Sequence, residues 1–256
     1  MSGTKILELG TRGILTALLM VMSIHSTYSQ ATKSLKLLEF KYGFQAPLAD
    51  MKTRFGGNNV IGLSFQTVEL SKTLLFGIEG GFNFGNTVKE DVVANLRSYD
   101  GNIIGIDGQA GDVNLKERGF YLGVDVCKII KTTKVENNLT GIRTQLGAGL
   151  LQHKIRVQEN SNTIPSLDNQ YLKNYDRLTN GPAFHLAIGY QYENPDNNFH
   201  FNIMGDLYGA RTASRRDFDS LEGGYLDKKR NDILAGITIS YVVSISRSDK
   251  ADHIYY

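Results

Sequence analysis

Alternation with a period of two residues is the feature that most constrains this chain. In the stretch TLLFGIEGGFNFG, at positions 73–85, every second residue is large and apolar, whereas the residues between them are mostly glycine or polar. Side chains two residues apart lie on the same face of a β-strand. The stretch is therefore predicted to be a strand with one apolar face and one face of small or polar side chains.

The same alternation occurs in seven further stretches, at positions 37–45, 60–69, 119–128, 140–151, 182–193, 199–209 and 232–245. No segment after the N-terminal region keeps a period of 3.6 residues over four turns, so no long helix is predicted there. Residues 89–98 are compatible with a short helix in a loop. The sequence therefore predicts an all-β chain of eight strands.

The connections between these strands alternate in length. The second, fourth and sixth strands are followed by short polar turns, whereas long segments follow the others, at 46–59, 86–118, 152–181 and 210–231. Outer-membrane barrels combine short periplasmic turns with long external loops. An even number of strands also places both ends of the barrel on the short-turn side.

The composition of the second face distinguishes a soluble barrel from a membrane barrel. Its positions are mostly Gly, Ala, Ser, Asn and Gln, with single charges. Glycine is a poor strand residue on a free surface, but it suits the cramped interior of an eight-stranded barrel. We therefore predict an eight-stranded antiparallel up-and-down transmembrane β-barrel whose apolar face contacts lipid. The chain has no Trp, so Tyr and Phe would form its interfacial belts.

The N-terminus resembles an export signal. The apolar run at 13–24 is shorter than the roughly 20 residues of a transmembrane helix, and small residues at Thr27 and Ser29 suit a cleavage site. We predict a signal peptide at 1–29, a barrel at 30–246 and a periplasmic tail at 247–256. An uncleaved anchor or a buried helix is the alternative for the first segment.

Five residues are predicted to form a polar network in the lumen: Glu79, Asp125, Arg143, His185 and Asp206. Buried charges must be paired or hydrated, so Arg143 is expected to pair with Asp125 or Glu79. His185 and His200 both face inward on adjacent strands and could approach each other, although ordinary hydrogen bonding is the simpler expectation.

No catalytic, cofactor-binding or metal-binding residue is predicted. The sequence has no Gly-x-Ser-x-Gly or His-Glu-x-x-His motif. The segment DGQAGDVN at 107–114 lacks the spacing of a calcium loop. Cys127 is the only cysteine, which excludes an internal disulfide and a multi-cysteine metal site. The mixed charges at 215–231 are typical of a solvated loop.

The pattern resembles the small outer-membrane β-barrels of Gram-negative bacteria, particularly the PorT-like barrels, through the opening strand with YGFQ and the glycine-rich hairpins. The last strand is similar to the C-terminal assembly signal of such barrels, with Gly236, Ile239 and Tyr241 at the matching positions. Leu234 departs from that signal, as does the continuation of the chain to Tyr256. The resemblance implies contact with outer-membrane lipid and with the barrel-assembly machinery.

The predicted function is a non-enzymatic outer-membrane protein that is structural or binds a partner through its loops or periplasmic rim. The PorT-like resemblance implies an accessory role in protein secretion, with other envelope or secretion proteins as partners. A small porin-like channel and a lipid- or peptide-cleaving barrel enzyme are the alternatives. The net charge of +2 gives no reason to expect a nucleic-acid partner.

Overall fold

The alternating segments form eight long strands. The computed structural model describes residues 34–69, 73–134, 138–194, 200–226 and 228–245, so the predicted signal peptide and C-terminal tail lie outside the described residues. The strands are β1 (Ser34–Ala49), β2 (Asn58–Glu69), β3 (Leu74–Gly85), β4 (Val113–Lys131), β5 (Gly141–Glu159), β6 (Thr179–Glu193), β7 (His200–Ser214) and β8 (Lys229–Ile245).

Each strand pairs antiparallel with the next, and β8 pairs with β1, so the sheet closes into a barrel in sequence order. The closing seam runs from Lys36 opposite Ile245 to Ala49 opposite Asp232. Full closure leaves no strand edge unpaired. The prediction of an all-β, eight-stranded antiparallel up-and-down barrel is confirmed.

The two ends of the barrel differ in their connections. Short connections at 70–73, 132–140 and 194–199 define the short-turn end, and the segments 50–57, 86–112, 160–178 and 215–228 define the long-loop end. The long-loop end contains helix α1 (Met51–Arg54) and three 3₁₀ turns at Ala94–Leu96, Pro165–Leu167 and Leu172–Asn174. Among the described residues, no helix is both long and apolar enough to cross a bilayer.

Several strands extend further towards the long-loop end than the sequence indicated, and β4 and β5 extend furthest. Their added residues still alternate, because Leu115 and Glu117 lie on the inner side while Lys116 and Arg118 lie on the outer side. The outer residues are charged there, so the apolar pattern ends before the strand does. The long loops are correspondingly shorter than predicted.

The outer face of the barrel is an apolar belt. Each strand contributes large apolar side chains that are more than a third exposed, for example Phe44, Leu63, Ile78, Val124, Leu146, Ile188, Ile203 and Ile239. The inner positions alternate with them and are buried. At some inner positions only glycine fits, because a Cβ at Gly189 would lie 1.9 Å from the carbonyl oxygen of Ile203.

The interior is filled in three layers. A hydrophobic cluster at the long-loop end includes Leu151, Ile155 and Leu234, and a second cluster at the short-turn end includes Leu37, Leu75 and Ile129. Buried polar and charged side chains occupy the region between them. The barrel is therefore a packed structure over the described residues, as expected for eight strands.

Candidate functional site

Glu79 on β3 is the centre of the polar layer. Its carboxylate lies 3.0 Å from Nζ of Lys41 on β1 and accepts hydrogen bonds from Gln145 (2.6 Å) and from the hydroxyl of Tyr208 (3.0 Å). The alternation of the strands points all of these side chains inward from different sides of the barrel. Glu79 therefore connects β1, β5 and β7 through the lumen.

The structure pairs Arg143 with Glu39 rather than with Asp125 or Glu79. Nη1 of Arg143 donates to the Glu39 carboxylate, and both side chains are at most 1% exposed. The register explains the difference, because Arg143 lies opposite Ile129 whereas Asp125 lies opposite Gly147, further along the same strand pair. The expected pairing with the neighbouring strand was wrong, since Glu39 on β1 reaches Arg143 across the lumen.

Asp125 has neutral partners instead. It accepts hydrogen bonds from the side-chain amide of Gln66 (2.7 Å) and from the thiol of Cys127 (3.2 Å). Cys127 is fully buried and lies on the same inner face as Asp125. The lone cysteine is thus part of the packed interior.

His185 joins two carboxylates. Nε2 of His185 lies 2.8 Å from Asp206, which also accepts a hydrogen bond from Thr238, and Nδ1 lies 3.4 Å from Glu79. The imidazole stacks on the ring of Tyr208 with centroids 4.0 Å apart. These contacts place four of the five predicted lumen residues close to Glu79 or to its partners.

His185 and His200 do not form a pair. His185 lies opposite Tyr208, whereas His200 lies opposite Glu193, eight residues further along β6. At about 3.4 Å per residue this separation is roughly 27 Å along the strand. Adjacent strands with inward-facing histidines are therefore not sufficient for a contact.

The interior is arranged to brace the barrel rather than to hold a substrate. His185 is fully buried, so a molecule in solvent does not reach its ring. The void beside Tyr121 and Tyr208 has a volume of about 10 Å³. That volume holds about one water molecule. Among the described residues, no cluster of three or more His, Cys, Asp or Glu side chains could hold a metal ion.

The four long loops meet in one ion-pair network at the long-loop end. Arg54 donates to Glu90 at 2.6 Å and to the carbonyl oxygen of Arg177 at 3.2 Å. Arg177 in turn donates to Glu90 and, at 2.9 Å, to Asp219. These four residues come from four different loops. We call the resulting structure, residues 50–57, 86–112, 160–178 and 215–226, the loop cap.

Arg177 adopts an uncommon backbone conformation at the centre of the loop cap. Its φ is 44°, in the left-handed region that non-glycine residues rarely occupy. Such a conformation persists where surrounding contacts fix it. The contacts of its guanidinium and carbonyl groups with three other loops supply that constraint.

The underside of the loop cap is apolar. Met51 and Phe55 from the first loop, Val93 from the second and Tyr175 from the third are buried against the hydrophobic layer of the barrel. The loop cap is therefore anchored both by apolar burial and by its ion pairs. Neither feature was predicted, because the contributing residues are scattered over four loops and share no sequence period.

One prediction for the loop cap was wrong. The segment 215–231 was expected to be solvated, but Asp219 is 4% exposed and paired with Arg177, and β8 already begins at Lys229. The segment 107–114 forms local contacts, with the carboxylate of Asp107 accepting from the backbone amide of Gln109. The mixed charges of 215–231 thus bind other loops.

The outer side of the loop cap has a cleft and several uncovered apolar side chains. The cleft has a volume of about 360 Å³ and is lined by Pro165, Ser166, Tyr171, Asn174, Tyr175 and Ser220. Its lining combines aromatic rings with amide and hydroxyl groups, and its volume falls in the range of small-molecule sites. Tyr99, Ile106 and Tyr225 project from the loops with most of their surface exposed.

The residues of the proposed assembly signal lie on the closing strand β8. Gly236 faces inward, where a Cβ would lie 2.4 Å from the carbonyl oxygen of Phe44. Ile239 and Tyr241 face outward and lie opposite Tyr42 and Phe40 on β1. Recognition of these residues by an assembly machinery stays a prediction.

Acid is expected to loosen the loop cap. Burial opposes ionisation of Glu90, but the positive charges of Arg54 and Arg177 and the hydrogen bond from Arg54 outweigh it and lower the pKa of Glu90. A carboxylate with a lowered pKa stabilises the fold above its unfolded pKa, about 4.3, and loses that contribution as pH falls through the folded pKa. Amide hydrogen exchange at Val92 and Val93 should therefore accelerate below about pH 4 relative to amides of the barrel.

The control for this pH effect is Glu90→Gln. This variant cannot ionise at position 90, so its exchange at Val92 and Val93 should be faster at pH 7 and change less with pH. Equal pH dependence in the parent chain and the variant would contradict the role assigned to Glu90.

No protein-family model matches the sequence, and no curated protein matches it. Three solved structures are similar in fold. Neisserial surface protein A is 10% identical, with a TM-score of 0.42 over 82% of this chain and 97% of that chain. Ail of Yersinia pestis, in complex with the heparin analogue sucrose octasulfate, is 11% identical, with a TM-score of 0.38 over 82% and 98%. The N-terminal β-barrel domain of Pseudomonas aeruginosa OprF is 15% identical, with a TM-score of 0.35 over 83% and 99%.

None of these three structures is described as PorT-like, and the fold assignment rests on the strand pairing of this chain itself.

Proposed function

We propose that this chain is a non-enzymatic outer-membrane β-barrel protein that presents the loop cap outside the cell as a binding surface. The apolar belt supports the membrane location, because soluble monomers rarely expose a contiguous apolar patch above a few hundred Å². Here exposed apolar side chains occur on all eight strands. A closed barrel satisfies its backbone hydrogen bonds within lipid.

The observation that carries the binding role is the ordered loop cap. Loops on a rigid scaffold commonly hold binding residues. In this chain Arg54, Glu90, Arg177 and Asp219 fix four loops to one another, and the cleft with Tyr171 opens on their outer side. A surface that is ordered before binding has less conformational entropy to lose when a partner arrives.

Cysteine labelling tests the orientation. Tyr99→Cys, at an exposed loop position, should react with an impermeant maleimide on whole cells, whereas Lys134→Cys at the short-turn end should react only after the outer membrane is opened. The parent chain is the control, because Cys127 is fully buried and should stay unlabelled. The reverse labelling pattern would overturn the assignment of the external end.

The filled interior favours a closed barrel over the porin-like alternative. Buried Arg143 and Glu79, with hydrophobic layers on both sides, occupy the lumen that a pore would need. Purified barrels in planar bilayers should therefore show no steady ion conductance. Stable channel openings by the folded protein, absent from a boiled control, would favour the channel instead.

An accessory role in protein secretion is the finer form of this proposal, and it is supported by the PorT-like resemblance. A photo-crosslinker in place of Tyr171 tests it, with the crosslinker at Lys134 as the control at the opposite end. Crosslinking to envelope secretion proteins from one end would support the role and identify the contact surface. Unchanged secretion in cells that lack the protein would contradict it.

A further inference from the structure

Four cations lie together on the outer face where β4 and β5 extend beyond the apolar belt. Lys116 lies directly opposite Arg156, and Arg118 lies directly opposite Lys154. Side chains opposite each other in an antiparallel pair have Cβ atoms about 4.5–5.5 Å apart, and like charges there repel. We call these four residues the outer cation array. Its arrangement requires a negative counterpart to be stable.

The protein itself supplies little of that counterpart. Asp176 approaches Lys154 only at 4.0 Å, and it already accepts hydrogen bonds from Arg216 at 2.8 and 2.5 Å. Within the described part of the chain, no carboxylate lies within 4.0 Å of a charged nitrogen of Lys116, Arg118 or Arg156. The charge of the array is therefore directed outward.

The position of the array matches the depth of lipid headgroups. Phe120 is the next outward residue on β4 after Arg118, and the apolar belt begins there. Two further cations, Arg211 on β7 and Lys229 on β8, lie outward at the same end of the barrel. No acidic residue occupies an outward strand position beyond the belt at this end, among the residues described.

We propose that the outer cation array binds the phosphate group of a lipid headgroup in the external leaflet, with an acyl chain against Phe120 and Leu150. Arginine guanidinium groups bind phosphate through two parallel hydrogen bonds, and lysine adds a compact charge. The adjacent apolar belt supplies the surface for the acyl chain. This inference rests on the proposed outer-membrane location.

A single tryptophan reports on the lipid next to the array, because the chain contains no Trp. Phe120→Trp places the reporter beside the array, and Phe44→Trp places it on the distant β1. The folded full chain is inserted into phosphatidylcholine vesicles with about 10% dibrominated phosphatidic acid or dibrominated phosphatidylcholine. Basic side chains at an anionic surface each add attraction, so quenching at position 120 should show about a tenfold preference for phosphatidic acid. Position 44 should show almost none.

Two sets of substitutions separate a specific array from net charge. Changing Lys116, Arg118, Lys154 and Arg156 to Gln should remove the preference at position 120. Changing the exposed Lys52, Lys134, Lys173 and Lys228 to Gln removes the same charge and should keep it. An equal loss in both sets would overturn the proposal, as would an unchanged preference in the array variant.

The other outcomes are distinguishable. Millimolar inorganic phosphate should not abolish the preference, because it has no acyl chain to contact Phe120; complete displacement would make the array a site for free phosphate and overturn the lipid assignment. Equal quenching by both brominated lipids would leave the membrane location intact and contradict the array. No quenching at either reporter would contradict the membrane location itself.

Discussion

Arg143→Ala is expected to lower the free energy of unfolding by about 3–5 kcal/mol, because it leaves the buried carboxylate of Glu39 without its cation. Glu39 is fully buried, and Arg143 also donates to the side chains of Gln191 and Gln66, each at 2.9 Å. A typical domain has a total stability of about 5–15 kcal/mol. The loss is measurable by urea unfolding of the folded protein in detergent, followed by circular dichroism.

The matched control is Arg97→Ala in the loop cap. Arg97 and Asp91 form an ion pair at 2.5 Å, but their side chains are 34% and 39% exposed. Exposed ion pairs contribute only about 0–1 kcal/mol, so this variant should unfold near the parent. A double change of Arg143→Met and Glu39→Leu should recover much of the lost stability, since it removes both buried charges. Equal costs for Arg143→Ala and Arg97→Ala would contradict the assigned burial of the Arg143–Glu39 pair.

Ile203→Lys is expected to lower stability by about 2–4 kcal/mol in a bilayer, because it places a charge on the lipid face at mid-depth. Ile203 is 46% exposed and lies between the outward side chains of Tyr190 and Ile239. If this face met water, the same substitution would replace an exposed apolar residue and change stability by only about 0.5 kcal/mol. The measurement therefore separates a lipid-facing belt from a solvent-facing one.

Ala213→Lys is the control on the same face of the same strand. Ala213 points outward beyond the belt and lies opposite Lys229, so the new charge meets one like charge and should cost less than about 1 kcal/mol. Both variants are compared by unfolding in phosphatidylcholine vesicles and by the fraction that assembles. Similar stability of Ile203→Lys and the parent in vesicles would contradict the membrane belt.

The strand faces could be predicted from the sequence because their signal is local. A period of two residues assigns Ile203 to one face and Glu79 to the other without knowledge of any partner. The strand ends could not be predicted, because Lys116 and Arg118 continue the alternation with charged residues instead of apolar ones. Hydrophobic pattern thus located the belt, and the strands extend beyond it.

The contacts inside the barrel could not be predicted from the sequence. Inward side chains meet across the lumen at a height set by the register of all intervening strands, which is why Arg143 reaches Glu39 on β1. The same limit applies to the loop cap, where Arg54 and Arg177 come from loops with no common period. Charged residues in several loops indicate that such a network is possible, but their partners depend on the closed barrel.

The loop cap connects parts of the chain that are synthesised far apart. Arg54 contacts the carbonyl of Arg177 across 123 residues, and Arg230 reaches the carbonyl of Asp50 across 180 residues. Contacts with such sequence separation form late, since the entropy of closing long loops is lost before they can stabilise the chain. We expect the loops to become protease-resistant only after β8 has joined β1, which pulsed proteolysis during refolding would measure. An accessible cap would then mark a chain whose assembly is incomplete.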